Sequence, residues 1–158
     1  MIVKLKGKID NYSENFIDID VKDIVYRILM TNSNIEFFKE ITTEVEIFIY
    51  EIIKEDSRTF VGFKNFQERE VFSDLLTVQG VGGKMAINIM SSLECSEIIA
   101  SIKADEISRL TKISGVGQKL AKRILNELKE KLQKKFKLSD FKISEKDQKT
   151  KNDLISCL

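Results

Sequence analysis

Apolar and polar positions alternate in short runs up to residue 63, and from residue 66 onward apolar residues recur every three or four positions. Val3-Lys4-Leu5-Lys6 and Ile17-Asp18-Ile19-Asp20-Val21 show the period of two that puts one face of a strand in a core. The stretches Val3–Ile9, Phe16–Val21, Ile24–Met30, Val45–Lys54 and Thr59–Phe63 are rich in Ile, Val, Phe and Tyr, and each predicts a strand. Asn11–Asn15 and Thr31–Asn34 supply turn residues between them. Residues 35–41 predict a short helix or turn between the third and fourth strands. Five short strands in so little chain predict a small barrel, a five-stranded OB-fold.

Beyond it, Val71, Phe72, Leu75 and Leu76 share one face of a helix ending near Thr77. Further helices are predicted over 83–92, 96–103, 105–112 and 118–136, with Asp105 as N-cap of the third of these. The expected class is α+β, with a barrel over residues 1–63 followed by an all-α domain over 64–137. A polar linker is expected over 138–152, and apolar spacing returns in the final segment, 153–158.

Charge divides the 158-residue chain along the same line. The net charge of +1 conceals a net of −4 over residues 1–63 and +5 over 64–137. A basic helical half is where a polyanion would sit, and an acidic barrel is not. The chain has no histidine, which removes the commonest general base and metal ligand, so neither metal nor cofactor is expected. Cys95 and Cys157 are too few for a disulfide framework and fit a reduced, cytoplasmic setting. No apolar run reaches the length of a membrane span.

The strongest signal is an internal repeat. VQGVGGKMAINIM at 78–90 aligns without gaps on ISGVGQKLAKRIL at 113–125, an offset of 35 residues. Gly80, Val81, Gly82, Lys84, Ala86 and Ile89 are identical to Gly115, Val116, Gly117, Lys119, Ala121 and Ile124. Each Gly-Val-Gly joins two helices through a turn that needs positive φ or a close backbone approach. The intervening valine can anchor the turn inward. The exposed backbone N–H groups, those of Gly82 and Gly83 and of Gly117 and Gln118, would then face an anion at a helix N-terminus. Lys84 and Lys119 add charge at the same points, and Lys122 and Arg123 extend the polar side of the last helix. These are the residues and spacings of the helix-hairpin-helix motif. A single Gly-x-Gly-x-Lys could be an ordinary helix cap, but two at a fixed offset in the basic half point to phosphate binding. A phosphate-binding ATPase loop fails on spacing, because Met85 follows Lys84 where that loop needs Ser or Thr.

An acidic barrel followed by a basic tandem of hairpins resembles the RuvA family. The strings MIVKLKGKI, KEDSRTFVGF at 54–63, FQEREVFSDLLTVQGVGGKMA at 66–86 and ISGVGQKLAKRILNELKEKL at 113–132 carry the resemblance, over about residues 1–137. It implies a non-catalytic homotetramer, which can pair into an octamer, holding an open four-way (Holliday) DNA junction on its basic face. It implies a role for Glu55 and Asp56 as an acidic pin near the fourfold axis. It also implies a partner, the ring-shaped AAA+ motor RuvB, contacted through a third domain that DLISCL at 153–158 resembles only in its first residues, so that domain is expected to be missing here. The chain departs from the family at Gln118, where a basic residue is common; Lys122 can replace that charge one turn later.

Two other readings are open. One is a general duplex-binding hairpin module from a repair or DNA-uptake protein. The other is a nuclease in which Glu51, Glu55 and Asp56 hold Mg²⁺, although neither His nor Lys stands in a supporting place.

Overall fold

The computed structural model describes residues 1–135. The linker expected at 138–152 and the segment 153–158 lie outside the described residues. The elements run β1 (Lys4–Tyr12), β2 (Phe16–Val21), β3 (Ile24–Leu29), α1 (Asn32–Lys39), β4 (Val45–Ile53) and β5 (Arg58–Phe63), then α2 (Phe66–Leu76), α3 (Gly83–Ser92), α4 (Cys95–Ala104) and α5 (Ile107–Thr111). A last helix, α6, occupies 118–135.

The five strands close into a barrel in the order β1-β2-β3-β5-β4, with β4 returning to β1. All neighbours are antiparallel except β3 and β5, which pair in parallel through Ile28–Phe60 and Leu29–Val61. Alternation sends Leu5, Ile17, Ile19, Ile28, Val45, Ile47 and Ile49 inward, and Ile35 and Phe38 of α1 join them. β1 runs to Tyr12, further than its apolar pattern suggested, because a bulge between Ile9 and Asn11 lets it keep pairing with β2. Thr31–Asn34 is not a free turn. Thr31 is the N-cap of α1, and its Oγ1 accepts from the Asn34 N–H.

The second core joins barrel and helices. Phe63 of β5 and Phe72 of α2 lie 5.1 Å apart, and Tyr50 of β4 meets Phe72 at 5.4 Å. Both faces of β4 are therefore covered: Val45, Ile47 and Ile49 line the barrel, while Phe48, Tyr50 and Ile52 pack against the helical cluster. Polar ties reinforce this seam. Arg69 Nε donates to the Ile49 carbonyl at 2.7 Å, and Asn34 Nδ2 donates to Glu68 Oε2 at 2.9 Å.

One expected cap is corrected. Asp105 is not the N-cap of α5 but the residue that closes α4, in the left-handed conformation at φ 55°. Asp tolerates that region better than most residues, and the backbone N–H groups of Asp105 and Glu106 turn back to the Ile102 and Ser101 carbonyls to end the helix. Glu106 takes the N-cap place, without a side-chain hydrogen bond.

Candidate nucleic-acid interface

Both Gly-Val-Gly turns fold alike. Gly80 and Gly115 have φ of 94° and 84°, so the first glycine of each turn supplies the left-handed residue that closes the hairpin. Val81 and Val116 are buried beneath the turns, as the repeat predicts. Backbone bonds follow the same offset: Val81 N–H donates to Val78 and Ala86 N–H to Gly82, matched by Val116 to Ile113 and Ala121 to Gly117.

The second glycine does different work. Gly82 is the N-cap of α3, in extended conformation and without a side-chain cap, so no side chain claims the first N–H groups of that helix. A methyl group placed on Gly82 or Gly117 would meet nothing within 4 Å. Glycine there keeps open the space over a helix N-terminus, which an approaching anion can enter. Lys84, Gln118, Lys119 and Lys122 are exposed beside these openings. By contrast, Lys129, Lys131 and Lys135, further along α6, are occupied by Asp105 and by Asp74 and Glu70 of the packed helices.

Gly83 has a role the sequence did not reveal. A methyl group there would lie 2.7 Å from Ile52 Cδ1, so it is a barrel side chain that crowds this position. Gln118, its counterpart in the second turn, is exposed and free to carry a side chain.

The two hairpins also hold each other. Asn88 Nδ2 donates to the Ser114 carbonyl at 2.8 Å, and Arg123 Nη1 donates to the Gln79 carbonyl at 3.2 Å. Asn88 went unnoticed in the sequence, although it occupies the same place in the first repeat as Arg123 in the second.

Glu55 and Asp56 are exposed in the turn between β4 and β5, which the Lys54 N–H closes by donating to the Ser57 carbonyl at 2.8 Å. Glu51 does not join them in a metal site. Its Oε2 accepts from the Ile2 N–H at 3.0 Å, and its Oε1 pairs with Arg58 Nη2 at 2.7 Å. The Ile2 N–H, with the Arg58 charge beside it, holds the Glu51 carboxyl below its usual range. No group of three or more potential metal ligands occurs among the described residues. Nor is any single described helix long and apolar enough to cross a membrane.

Barrel, seam and paired turns define an OB-type barrel joined to a tandem helix-hairpin-helix domain. Residues 1–62 match the family model of the RuvA N-terminal domain, and residues 72–130 match that of the SAM-like helix-hairpin-helix tandem. The chain is 33% identical over 149 residues to the Holliday junction branch migration complex subunit RuvA of Acetivibrio thermocellus, covering 94% of this chain and 73% of that one. The RuvA subunit of Zymomonas mobilis is 37% identical over 131 residues, covering 83% of this chain and 62% of its own length. That of Geobacter sulfurreducens is 37% identical over 134 residues, covering 85% and 67%. The chain belongs to the RuvA family. It spans somewhat under two thirds of the first relatives it matches, 62% and 65% of their lengths.

Proposed function

We propose that this chain is a non-catalytic, cytoplasmic DNA-binding subunit that holds four-way junctions by their phosphate backbones, without sequence preference, for a separate ATP-driven branch-migration motor of the RuvB type. The observation that carries this reading is the pair of open Gly-to-helix turns, 35 residues apart, each with an unpaired lysine among the described residues, Lys84 and Lys119. Two such turns on one rigid body suit two phosphates of one duplex arm, and phosphate contacts position a protein without reading bases. Gly80 to Lys84 and Gly115 to Lys119 form the proposed contact set, with Lys122 and Arg123 on the flank of α6. A homotetramer, or a pair of tetramers stacked as an octamer, would present one such body to each arm. Its four copies of Glu55 and Asp56 would repel strands from the centre, because like charge against phosphate is unfavourable. The names of the RuvA relatives support the same reading.

The test compares an immobile four-way junction with linear duplex, alongside the Lys84→Ala/Lys119→Ala variant. The junction is expected to bind more tightly, with a solution mass of four chains per junction or a multiple of it. Each lost phosphate contact is expected to lower the log–log salt slope by about 0.9 on duplex arms. An unchanged slope would remove these lysines from the interface, and equal affinity for junction and duplex would favour a general duplex-binding module.

A further inference from the structure

The repeat does more than duplicate a phosphate site: each hairpin is shaped by the other. Four contacts show this, and all obey the offset of 35. Asn88, on α3 of the first hairpin, donates to the carbonyl of Ser114 in the second turn. Arg123, on α6 of the second hairpin, donates to the carbonyl of Gln79 in the first. Leu120 Cδ1 lies 3.3 Å from where a methyl on Gly80 would sit, and Met85 Cε lies 3.0 Å from the same place on Gly115. Thus each turn is roofed and hydrogen-bonded by the helix of its partner, not by the helix it opens.

The bonded atoms matter. The carbonyl of Gln79 and the N–H of Gly80 belong to one peptide plane, as do those of Ser114 and Gly115. Holding the oxygen fixes the rotation of that plane, and with it the left-handed φ of the glycine that follows. That φ sets the path of the next residues and the direction in which the helix N-terminus opens. Glycine is the residue least able to hold such a conformation by itself, so an external restraint has a large effect there.

We infer that Asn88 and Arg123 are crossed positioning residues: Asn88, though part of the first hairpin, presets the phosphate site of the second, and Arg123 presets that of the first. The inference rests on the proposed phosphate-binding reading and adds to it. It gives Arg123 a role through the Gln79 carbonyl, and it assigns one to Asn88 that is not electrostatic, since its side chain is neutral.

The test is a set of double-mutant cycles on binding to an immobile four-way junction, with circular dichroism used to check folding. Asn88→Ala is expected to weaken binding about fivefold, the order of one hydrogen bond, without changing the salt slope. Its effect is expected to shrink at least threefold in a Lys119→Ala background and to persist in a Lys84→Ala background. Arg123→Ala is expected to show the reverse, coupling to Lys84→Ala and not to Lys119→Ala. A general loss of stability would affect both backgrounds alike. Additive losses in all four cycles, wild-type affinity for Asn88→Ala, or a fall in its salt slope would each overturn the inference. These outcomes are distinct from a failure of the phosphate reading, which would appear as an unchanged slope in the Lys84→Ala/Lys119→Ala protein.

Discussion

Ile52 of β4 occupies the space that a side chain on residue 83 would need: its Cδ1 lies 2.7 Å from a methyl group built on Gly83. The barrel therefore docks on the first hairpin at a point where the repeat is broken, Gly83 standing opposite Gln118. Gly83→Ala is expected to destabilise the protein by about 1 kcal/mol, the low end for overpacking, because the obstructing atom ends a flexible side chain. Combining it with Ile52→Val, which removes that atom, should cost less than the sum of the two single changes by about 0.5 kcal/mol or more in urea unfolding. Additive costs would show that the contact does not govern this position.

The glycines separate fold from binding. A methyl on Gly62 would fall 2.5 Å from Ile28, 2.6 Å from Met30 and 2.8 Å from Ile47, inside the barrel. Gly62→Ala is expected to cost about 3 kcal/mol, with little direct effect on DNA contacts in whatever fraction remains folded.

Gly82→Ala and Gly117→Ala should do the opposite. Nothing lies within 4 Å of the added methyl in either case, so the stability cost stays within about 1 kcal/mol, that of an N-cap glycine replaced by alanine. Junction affinity is expected to fall by more than that, because the methyl would stand in the path proposed for the phosphate. Unchanged affinity would mean that the anion does not enter over these turns.

The acidic turn gives a test with a gain of binding. Glu55→Lys with Asp56→Lys is expected to tighten junction binding and to reduce the preference for junction over duplex, since it would replace the repulsion proposed for the centre with attraction. Equal or weaker binding by a folded protein of unchanged solution mass would make the turn an ordinary polar hairpin.

Acid should weaken the barrel through Asp18. Arg27 donates to both of its oxygens, Nε to Oδ1 and Nη2 to Oδ2, each at 2.9 Å across β2 and β3. This pairing holds the Asp18 carboxyl below its usual range. Its contribution is therefore complete above the unfolded value of about 3.9 and is lost as pH falls through the lower folded value. The stability gap between wild type and Asp18→Asn should narrow between about pH 5 and pH 2. A constant gap across that window would show that the pair contributes nothing through its charge.

Much of this molecule is legible in its sequence. Local periodicity determined the strand and helix types, and the offset repeat determined where both turns lie, because those signals depend on neighbours in the chain. The sequence by itself thus identified the turns, their lysines, the acidic turn and the barrel-then-helix order. The strand predicted over Val45–Lys54 forms as β4, and its sequence VEIFIYEII is apolar on both faces. Only the tertiary structure explains that run, with a barrel on one side and α2 on the other.

What the tertiary structure alone decided is which groups meet across long separations. Asp105 looked like the start of a helix because Asp favours both N-caps and left-handed closures, and only the folded backbone, at φ 55°, shows which of the two it adopts. Glu51 looked available beside Glu55 and Asp56 until the fold brought it to Ile2 and Arg58. Asn88 and Ser114 are 26 residues apart, and their contact depends on how one hairpin rotates against the other. A periodic pattern specifies which face of a helix is buried, but not the partner that buries it. That choice belongs to packing, where shape and hydrogen-bond geometry are satisfied together.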